Sequence, residues 1–468
     1  MTDAVGLTGG VRAVLAGGRW PVAVVLCLNV WLHAADSLIS ATVMPSAVAE
    51  IGGVAWIYWT TALYELGSIV AGAVTGVLAL RLGLVRAIVL AALIYAAGCM
   101  ASALAPDMGT MLAGRLAQGL GGGWMMALSY VGVTRLFPAS LWPAAFALVS
   151  AVWGVSAMVG PLVGGVFANA GLWRGAYWAF GAQALVLAAI VPVILRGHAD
   201  ERRTADRVPW RRICVFTAGL VAVLGAGVEA EAGNAGGYLL AGLVLLYAAL
   251  RLEGRGTTRL FPPNPLSPAT EWGNGFVMVL SLSLATVSFT VYGPLIMQIL
   301  FGTSPLTAGL LIAVESVAWS ATAIVFGGSN RASEAACIRV GTIAVVAGVA
   351  GFGLIMPYGP VWLLILPAAL QGAGFGVFWA YVVRRIVAAV PARETERASS
   401  SVPTMQIIGY ALGAALSGIV ANLCGLGEGA PADAAGRAAV WVFVAFLPLG
   451  ALGIWASRRF TARTAVAG

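Results

Sequence analysis

Four ionisable residues stand inside long apolar runs: Asp36, Glu65, Arg115 and Glu315. A charge buried in lipid costs about 2.5–3.5 kcal/mol even on insertion scales, so each is a functional candidate by default. Desolvation raises a carboxyl's hold on its proton, and a neighbouring arginine lowers it. An acid held between the two effects can load a proton on one side of a membrane and release it on the other. Asp36 is the first candidate for such a carrier and Glu65 the second, with Arg115 tuning them. A second reading stands beside it, in which Asp36 and Arg115 form a buried structural ion pair. Glu65 has no evident partner. His33, three residues before Asp36, is either a proton relay or a packing residue. Glu315 could contact a cationic substrate or a polar neighbour.

These residues need elements that hold them in lipid. Of 468 residues, 60% are hydrophobic and 9% charged, against roughly 25% charged in soluble proteins. Lipid satisfies no backbone polar group, so only helices and closed barrels span it. The apolar runs here are far longer than barrel strands of ~10 residues and fit spanning helices of ~20. The expected fold is an all-α polytopic membrane protein with fourteen spans, twelve long and two short. Six spans fill 20–195 and six fill 272–457, as two halves, and the short pair occupies 213–252. Segments 196–212 and 253–271 are linkers, and 1–19 and 458–468 are the tails.

All 26 basic residues are arginine, and the net charge is +8. They sit in short loops, so they read as topology signals rather than as a nucleic-acid surface. Arg81, Arg86, Arg135, the six arginines of 196–212, Arg251, Arg255, Arg259, Arg331, Arg339, Arg384, Arg385, Arg393, Arg397 and the tail arginines alternate with loops holding Glu50, Asp107, Glu229, Glu231, Glu428 and Asp433. Only Arg174 and Arg437 lie near acidic-side ends. The bias places both termini in the cytoplasm of a multi-pass plasma-membrane protein. If either short run failed to span, the alternation after residue 230 would invert. Five scattered cysteines and two histidines give no disulfide framework and no metal site. The first apolar run is too long for a cleavable signal peptide.

Gln118-Gly119-Leu120-Gly121-Gly122-Gly123 and Gln371-Gly372-Ala373-Gly374-Phe375-Gly376 are separated by 253 residues. Gly160 and Gly165 match Gly413 and Gly418 at the same offset. Two neighbouring matches argue for repeated halves around a midplane site. Small residues let membrane helices approach closely, and static packing is the plainer role of any single glycine. The offset puts Ala368 opposite Arg115 and Glu315 near the counterpart of Glu65. At ~1.5 Å per residue, Asp36, Glu65 and Arg115 lie at similar depth.

Gly154, Gly160, Pro161, Gly164 and Gly165 stand in a stretch that resembles the antiporter motif of the major facilitator superfamily. Arg115-Leu116-Ala117-Gln118-Gly119, the segment from Asp36 to Pro45, and Gly302-Thr303-Ser304-Pro305-Leu306-Thr307-Ala308-Gly309 resemble further motifs of its fourteen-helix drug/proton antiporter branch. The resemblance covers nearly the whole chain. It implies two six-helix halves with two extra helices between them, and proton-coupled export by alternating access. It also implies that the Gly160-Pro161 stretch lies where the halves join near the outer face. The loop after the second span keeps Gly76, Arg81, Gly83 and Arg86 of the family pattern, but Leu80 replaces an aspartate that helps latch the inner gate.

The resemblance directs attention to a cavity lined by Trp124, Met125, Tyr130, Tyr292, Gln298, Glu315, Trp319 and Trp379. Aromatic and soft side chains suit amphiphilic cations, although packing is the plainer role of each one. The expected function is proton-coupled export of drug-like or lipophilic compounds by a monomer, with a small-molecule substrate, protons and lipid as partners. No cofactor is expected beyond the proton gradient, nor nucleic acid, metal or enzymatic activity: no nucleophile elbow, HExxH or P-loop occurs. A dedicated exporter of one metabolite or lipid, and a non-transporting receptor, are the alternatives.

Overall fold

The computed structural model describes residues 5–53, 56–197, 208–228, 232–253, 259–327, 333–426 and 431–462. The loop residues His198, Glu229, Glu231, Arg255, Arg331 and Glu428, and most of 196–212, lie outside them. Helices α1 (Val5–Leu15), α2 (Trp20–Ile51), α3 (Ile57–Leu82), α4 (Leu84–Ala103), α5 (Met108–Leu136), α6 (Trp142–Asn169) and α7 (Trp173–Ile194) form the first half. Helices α8 (Trp210–Val228) and α9 (Ala232–Glu253) follow as a hairpin. The second half holds α10 (Glu271–Phe301), α11 (Pro305–Phe326), α12 (Glu334–Ile355), α13 (Ile365–Ala389), α14 (Thr395–Leu423), α15 (Ala432–Val444) and α16 (Leu447–Ala462).

Among the described residues thirteen stretches are long and apolar enough to cross a membrane. The expected count of fourteen is not reached on these criteria, because α5 is missing from them. That helix has 29 residues, but Arg115, Gln118 and its glycines dilute its apolarity. It lies between α3 and α4, where small residues permit close packing. The expected last span, 437–457, is two helices in one apolar stretch. Pro448 lacks the backbone donor that a continuous helix would use there, so the chain breaks at Ala445–Phe446 and restarts. The short α1 within the expected N-terminal tail packs against α6 and α11, with Val14 fully buried.

Direction alternates through the hairpin. Arg212 at the start of α8 pairs with Glu253 at the end of α9, 3.7 Å apart. Glu271 at the start of α10 pairs with Arg385 near the end of α13 at 2.7 Å. Arg81, Arg135 and Arg385 thus share one end of the bundle, called here the basic end. At the opposite end Trp173 and Arg174 hold Glu50 at 2.7 and 2.5 Å. The Trp173 hydrogen bond, with Arg174 behind it, keeps the exposed Glu50 carboxyl below its ordinary pKa.

The halves touch along two seams, α3 and α5 against α14 and α6 against α11 and α13. The α8–α9 hairpin packs beside the first seam, against α3 and α14. Glycines set the helix spacing equivalently in both halves. A Cβ on Gly119 would strike the Tyr64 carbonyl, and one on Gly372 would strike the Glu315 carbonyl. A Cβ on Gly98 would come within 2.5 Å of the Gln118 nitrogen, and one on Gly348 within 2.9 Å of Gln371. The repeat is therefore present in three dimensions. Gly119→Ala and Gly372→Ala are each expected to lower thermal stability in detergent by about 1–3 kcal/mol, the cost of overpacking. Gly165→Ala, which meets nothing within 4 Å, should leave it unchanged. Equal melting curves for all three would contradict this account of the spacing.

Nine described glycines have a positive φ, and two of them stand in the motifs quoted above. Gly83 (φ 81°) makes the turn between α3 and α4, and Gly302 (φ 62°) closes α10 in the left-handed region. After Gly302, Ser304 caps α11 by accepting from the Thr307 amide at 3.2 Å, and Pro305 stands in its first turn.

Candidate functional site

Arg115 is fully buried in the first half and is held by three hydrogen bonds and a ring contact. Its Nη1 donates to Asp36 Oδ1 at 3.1 Å and to Gln118 Oε1 at 3.0 Å, and its Nε donates to the Thr60 carbonyl at 3.3 Å. The guanidinium lies over the Tyr64 ring, 4.2 Å from its centre. Gln118 is fixed in turn, donating to Cys99 Sγ at 3.2 Å and accepting from Ser102 at 3.2 Å. A buried charge pair is tolerated when hydrogen bonds satisfy its members; those above hold Arg115, while Asp36 Oδ2 is buried with no hydrogen-bond partner among the described residues. Of the two readings of Asp36, the geometry favours the ion pair. Asp36 and Arg115 are both 0% exposed, so neither meets water in this conformation.

His33 sits beside this cluster and is locked. The Tyr64 hydroxyl lies 3.0 Å from its Nδ1 and donates to its carbonyl at 2.8 Å. The two rings stack at 5.5 Å, and Trp153 meets His33 edge-on. Tyr64 and Thr60 were not singled out by sequence, and Gln118 stood there as a repeat and motif residue rather than as a site residue. The repeated Gln-Gly pair was the available signal for Gln118.

Glu65 is next to Tyr64 on α3 but stands apart from the network. It is half-buried, feels the Arg115 charge, and has no hydrogen-bond or ion-pair partner among the described residues. Glu315 on α11 is half-buried and accepts from Gln371 Nε2 at 2.8 Å. The matching glycine contacts make Glu315 the counterpart of Tyr64, which leaves the next residue, Ser316, as the counterpart of Glu65. Gln371 repeats Gln118, and the fully buried Ala368 replaces Arg115. The first half thus neutralises its central acid internally, and the second carries an acid with no arginine beside it among the described residues.

The expected cavity residues divide into groups. Tyr130, Trp319 and Trp379 come together where the halves meet: Trp379 Nε1 donates to the Tyr130 hydroxyl at 3.1 Å, and the Trp319 and Trp379 rings are 5.7 Å apart. Trp319 also stacks on Phe375 at 4.7 Å and donates to Ser150 on α6 at 2.9 Å. Trp124 and Met125 are buried within the first half. Tyr292 lies against Gly418 of α14. Gln298 is exposed near the end of α10 and joins none of these groups. A separate groove of about 970 Å³ between α3 and the hairpin, lined by Trp59, Ile213, Val221 and Tyr238, has few polar groups and none of the acids.

The motif glycines also divide. Gly154 abuts Ser316 and Ser320 of α11, in the other half. Gly160 and Gly164 pack on α2 in their own half, against Ala35 and Leu38 and against Ile39 and Thr42. Gly165 faces open space, and α6 runs through Pro161 unbroken. In this conformation the Gly160-Pro161 stretch therefore fixes α6 to α2, and the halves meet at Gly154. Gly76 packs against Arg397 of α14, Gly83 makes its turn, and Arg81 and Arg86 are exposed. Leu80 is buried.

Known proteins share this architecture. The Major Facilitator Superfamily profile matches residues 26–360. A probable multidrug-efflux transporter of Mycobacterium tuberculosis is 30% identical over 99% of both chains. The riboflavin transporter RibZ of Clostridioides difficile is 22% identical over 85% of this chain and 87% of its own. Among solved structures, the human organic anion transporter MFSD10 aligns with a TM-score of 0.68 and 14% identity, over 94% of this chain and 99% of its own. With these matches, the two repeated halves and the thirteen apolar stretches, the chain is a polytopic membrane transporter that belongs to the Major Facilitator Superfamily.

Proposed function

We propose that this protein exports lipophilic, cationic small molecules across the plasma membrane in exchange for protons. It works as a monomer by alternating access, with both termini and the basic end in the cytoplasm. The observation that carries the reading is the contrast among its buried acids. Asp36 is neutralised by Arg115 at 3.1 Å, whereas Glu65 and Glu315 have no basic partner among the described residues. A carboxylate without a fixed counter-charge is free to exchange a proton, or to accept a cation, as its exposure changes. Glu65 is the proton carrier, and the Asp36–Arg115 pair is the fixed frame beside it. Glu315, one helical turn from Trp319 and its aromatic neighbours, takes the positive end of the substrate. The similarity to a probable multidrug-efflux transporter supports the substrate class, and the arginine bias of the loops supports the orientation.

In proteoliposomes, an imposed pH gradient is expected to move tetraphenylphosphonium against its own gradient, and a protonophore should stop it. Failure of the wild-type protein to move any of a panel of lipophilic cations would contradict the proposal. A dedicated carrier of one metabolite is the second reading, favoured by the similarity to a riboflavin transporter. Transport of a single panel member with no competition from the rest would support it.

A further inference from the structure

We infer that Gln371 is a second anchor for the substrate's positive end, so that cations bearing N–H groups, primary ammonium or guanidinium, are held in preference to quaternary ones. The inference deepens the proposed export of lipophilic cations and rests on it.

Two amides occupy equivalent places in the halves, and they differ in what they hold. Gln118 Oε1 accepts from Arg115 Nη1 at 3.0 Å, and the same Nη1 reaches the Asp36 carboxylate at 3.1 Å. The first half thus holds one N–H cation between an amide oxygen and a carboxylate, with the centre of the Tyr64 ring 4.2 Å from it. In the second half Gln371 stands in the place of Gln118, and Glu315 in the place of Tyr64. Position 368 is alanine, so no guanidinium is supplied there. Gln371 Nε2 donates to Glu315 Oε1 at 2.8 Å and to the Thr286 carbonyl at 3.5 Å. Both partners are acceptors, which sets the amide with its hydrogens toward them. Its Oε1 is buried with no hydrogen-bond partner among the described residues. A buried acceptor in that state is destabilising, and a donor that reaches it relieves the loss.

The cation does not enter at position 368 itself. Ala368 is fully buried in one apolar cluster with Phe289 and Phe352. The way in is past Glu315, which is half-buried. Tyr410 of α14 interacts electrostatically with Glu315 and with Tyr130 of the other half, which places the carboxylate toward the space between the halves. An arriving cation meets Glu315 first. Gln371 gives its amide hydrogens to the carboxylate while no cation is bound, and turns its oxygen to the cation when one arrives. The terminal torsion of glutamine is broad and permits that turn. A primary ammonium or guanidinium then bonds the carboxylate and the amide oxygen together, as Arg115 does in the first half. A quaternary cation has no hydrogen to donate and leaves Oε1 unpaired. A site built to bond an N–H discriminates strongly against an analogue that lacks it.

The test uses the wild-type protein in nanodiscs at pH 7, where a primary alkylammonium keeps its proton as lysine does. A naphthylalkyl primary ammonium and its N,N,N-trimethyl analogue are each titrated against bound radiolabelled tetraphenylphosphonium. The primary ammonium is expected to displace it at about tenfold lower concentration. Gln371→Met keeps the length of the side chain and removes both polar groups, and in it the ratio should fall below about twofold. A preference set by bulk alone would survive that replacement. Equal displacement by the two cations in the wild type would overturn the inference and leave export of lipophilic cations standing. An undiminished ratio in Gln371→Met, with a wild-type melting curve, would overturn the role of Gln371. Failure of the wild type to bind tetraphenylphosphonium or either ammonium would instead overturn the proposed function, and this inference with it.

Discussion

Exchanging Glu65 for glutamine is expected to abolish transport driven by a pH gradient while leaving the protein folded. Substrate exchange at equal pH on both sides should persist at near wild-type rate. The argument rests on where Glu65 sits. It shares α3 with Tyr64, but Tyr64 is committed to His33 and to the face of Arg115, and Glu65 to no described side chain. A neutral amide of similar shape there removes no ion pair and empties no space, so stability should change by less than ~0.5 kcal/mol. What it removes is the group that exchanges a proton. Loss of both driven transport and exchange would place Glu65 in substrate binding instead, and retention of both would remove it from the mechanism.

The second large effect is on stability. Arg115→Leu should destabilise the protein by about 3–5 kcal/mol, because it strands the Asp36 carboxylate in the buried interior. Asp36→Leu strands the guanidinium and should cost a similar amount. The double replacement removes both charges together and should recover much of the loss. Chemical and thermal unfolding in detergent measure all three. The same variants decide between the two readings of Asp36. As a structural pair, Asp36 can be replaced together with Arg115 while pH-driven transport continues. As the proton carrier, its loss ends pH-driven transport whether or not Arg115 is present.

Much of this was legible in the residues. Apolar runs mark where the helices lie, since lipid leaves the backbone no alternative, and loop arginines such as Arg81, Arg135 and Arg385 gather at one end of the bundle. The Asp36–Arg115 contact follows from their similar depth on neighbouring helices. The Gln-Gly repeat anticipates the matching glycine contacts on Tyr64 and Glu315, although its offset puts Glu315 two residues out of register. What was not legible depends on packing between distant segments. Glu396, which pairs with Arg135 of the other half at 2.6 Å, lies 261 residues from it, and in sequence it is one more loop-end acid beside Arg397. The Gly160-Pro161 stretch gives no sign that it faces α2 rather than the other half, because glycines thin a helix without saying what fills the space. Gln298 shares the polar character of a cavity residue, yet helix phase leaves it exposed near the end of α10. The break between α15 and α16 was marked by Pro448, but the apolar run continues through it and masks the signal.

The central claim is that protons and a cationic substrate exchange through acids that have no ion-pair partner among the described residues. The most direct measurement is the proton release when tetraphenylphosphonium is added to purified protein in weakly buffered detergent solution, followed with a pH indicator. The account predicts release from the wild type, markedly less from Glu65→Gln, and unaltered release from the Asp36/Arg115 double replacement. Substrate binding with no proton released from the wild type, or equal release from Glu65→Gln, would contradict it.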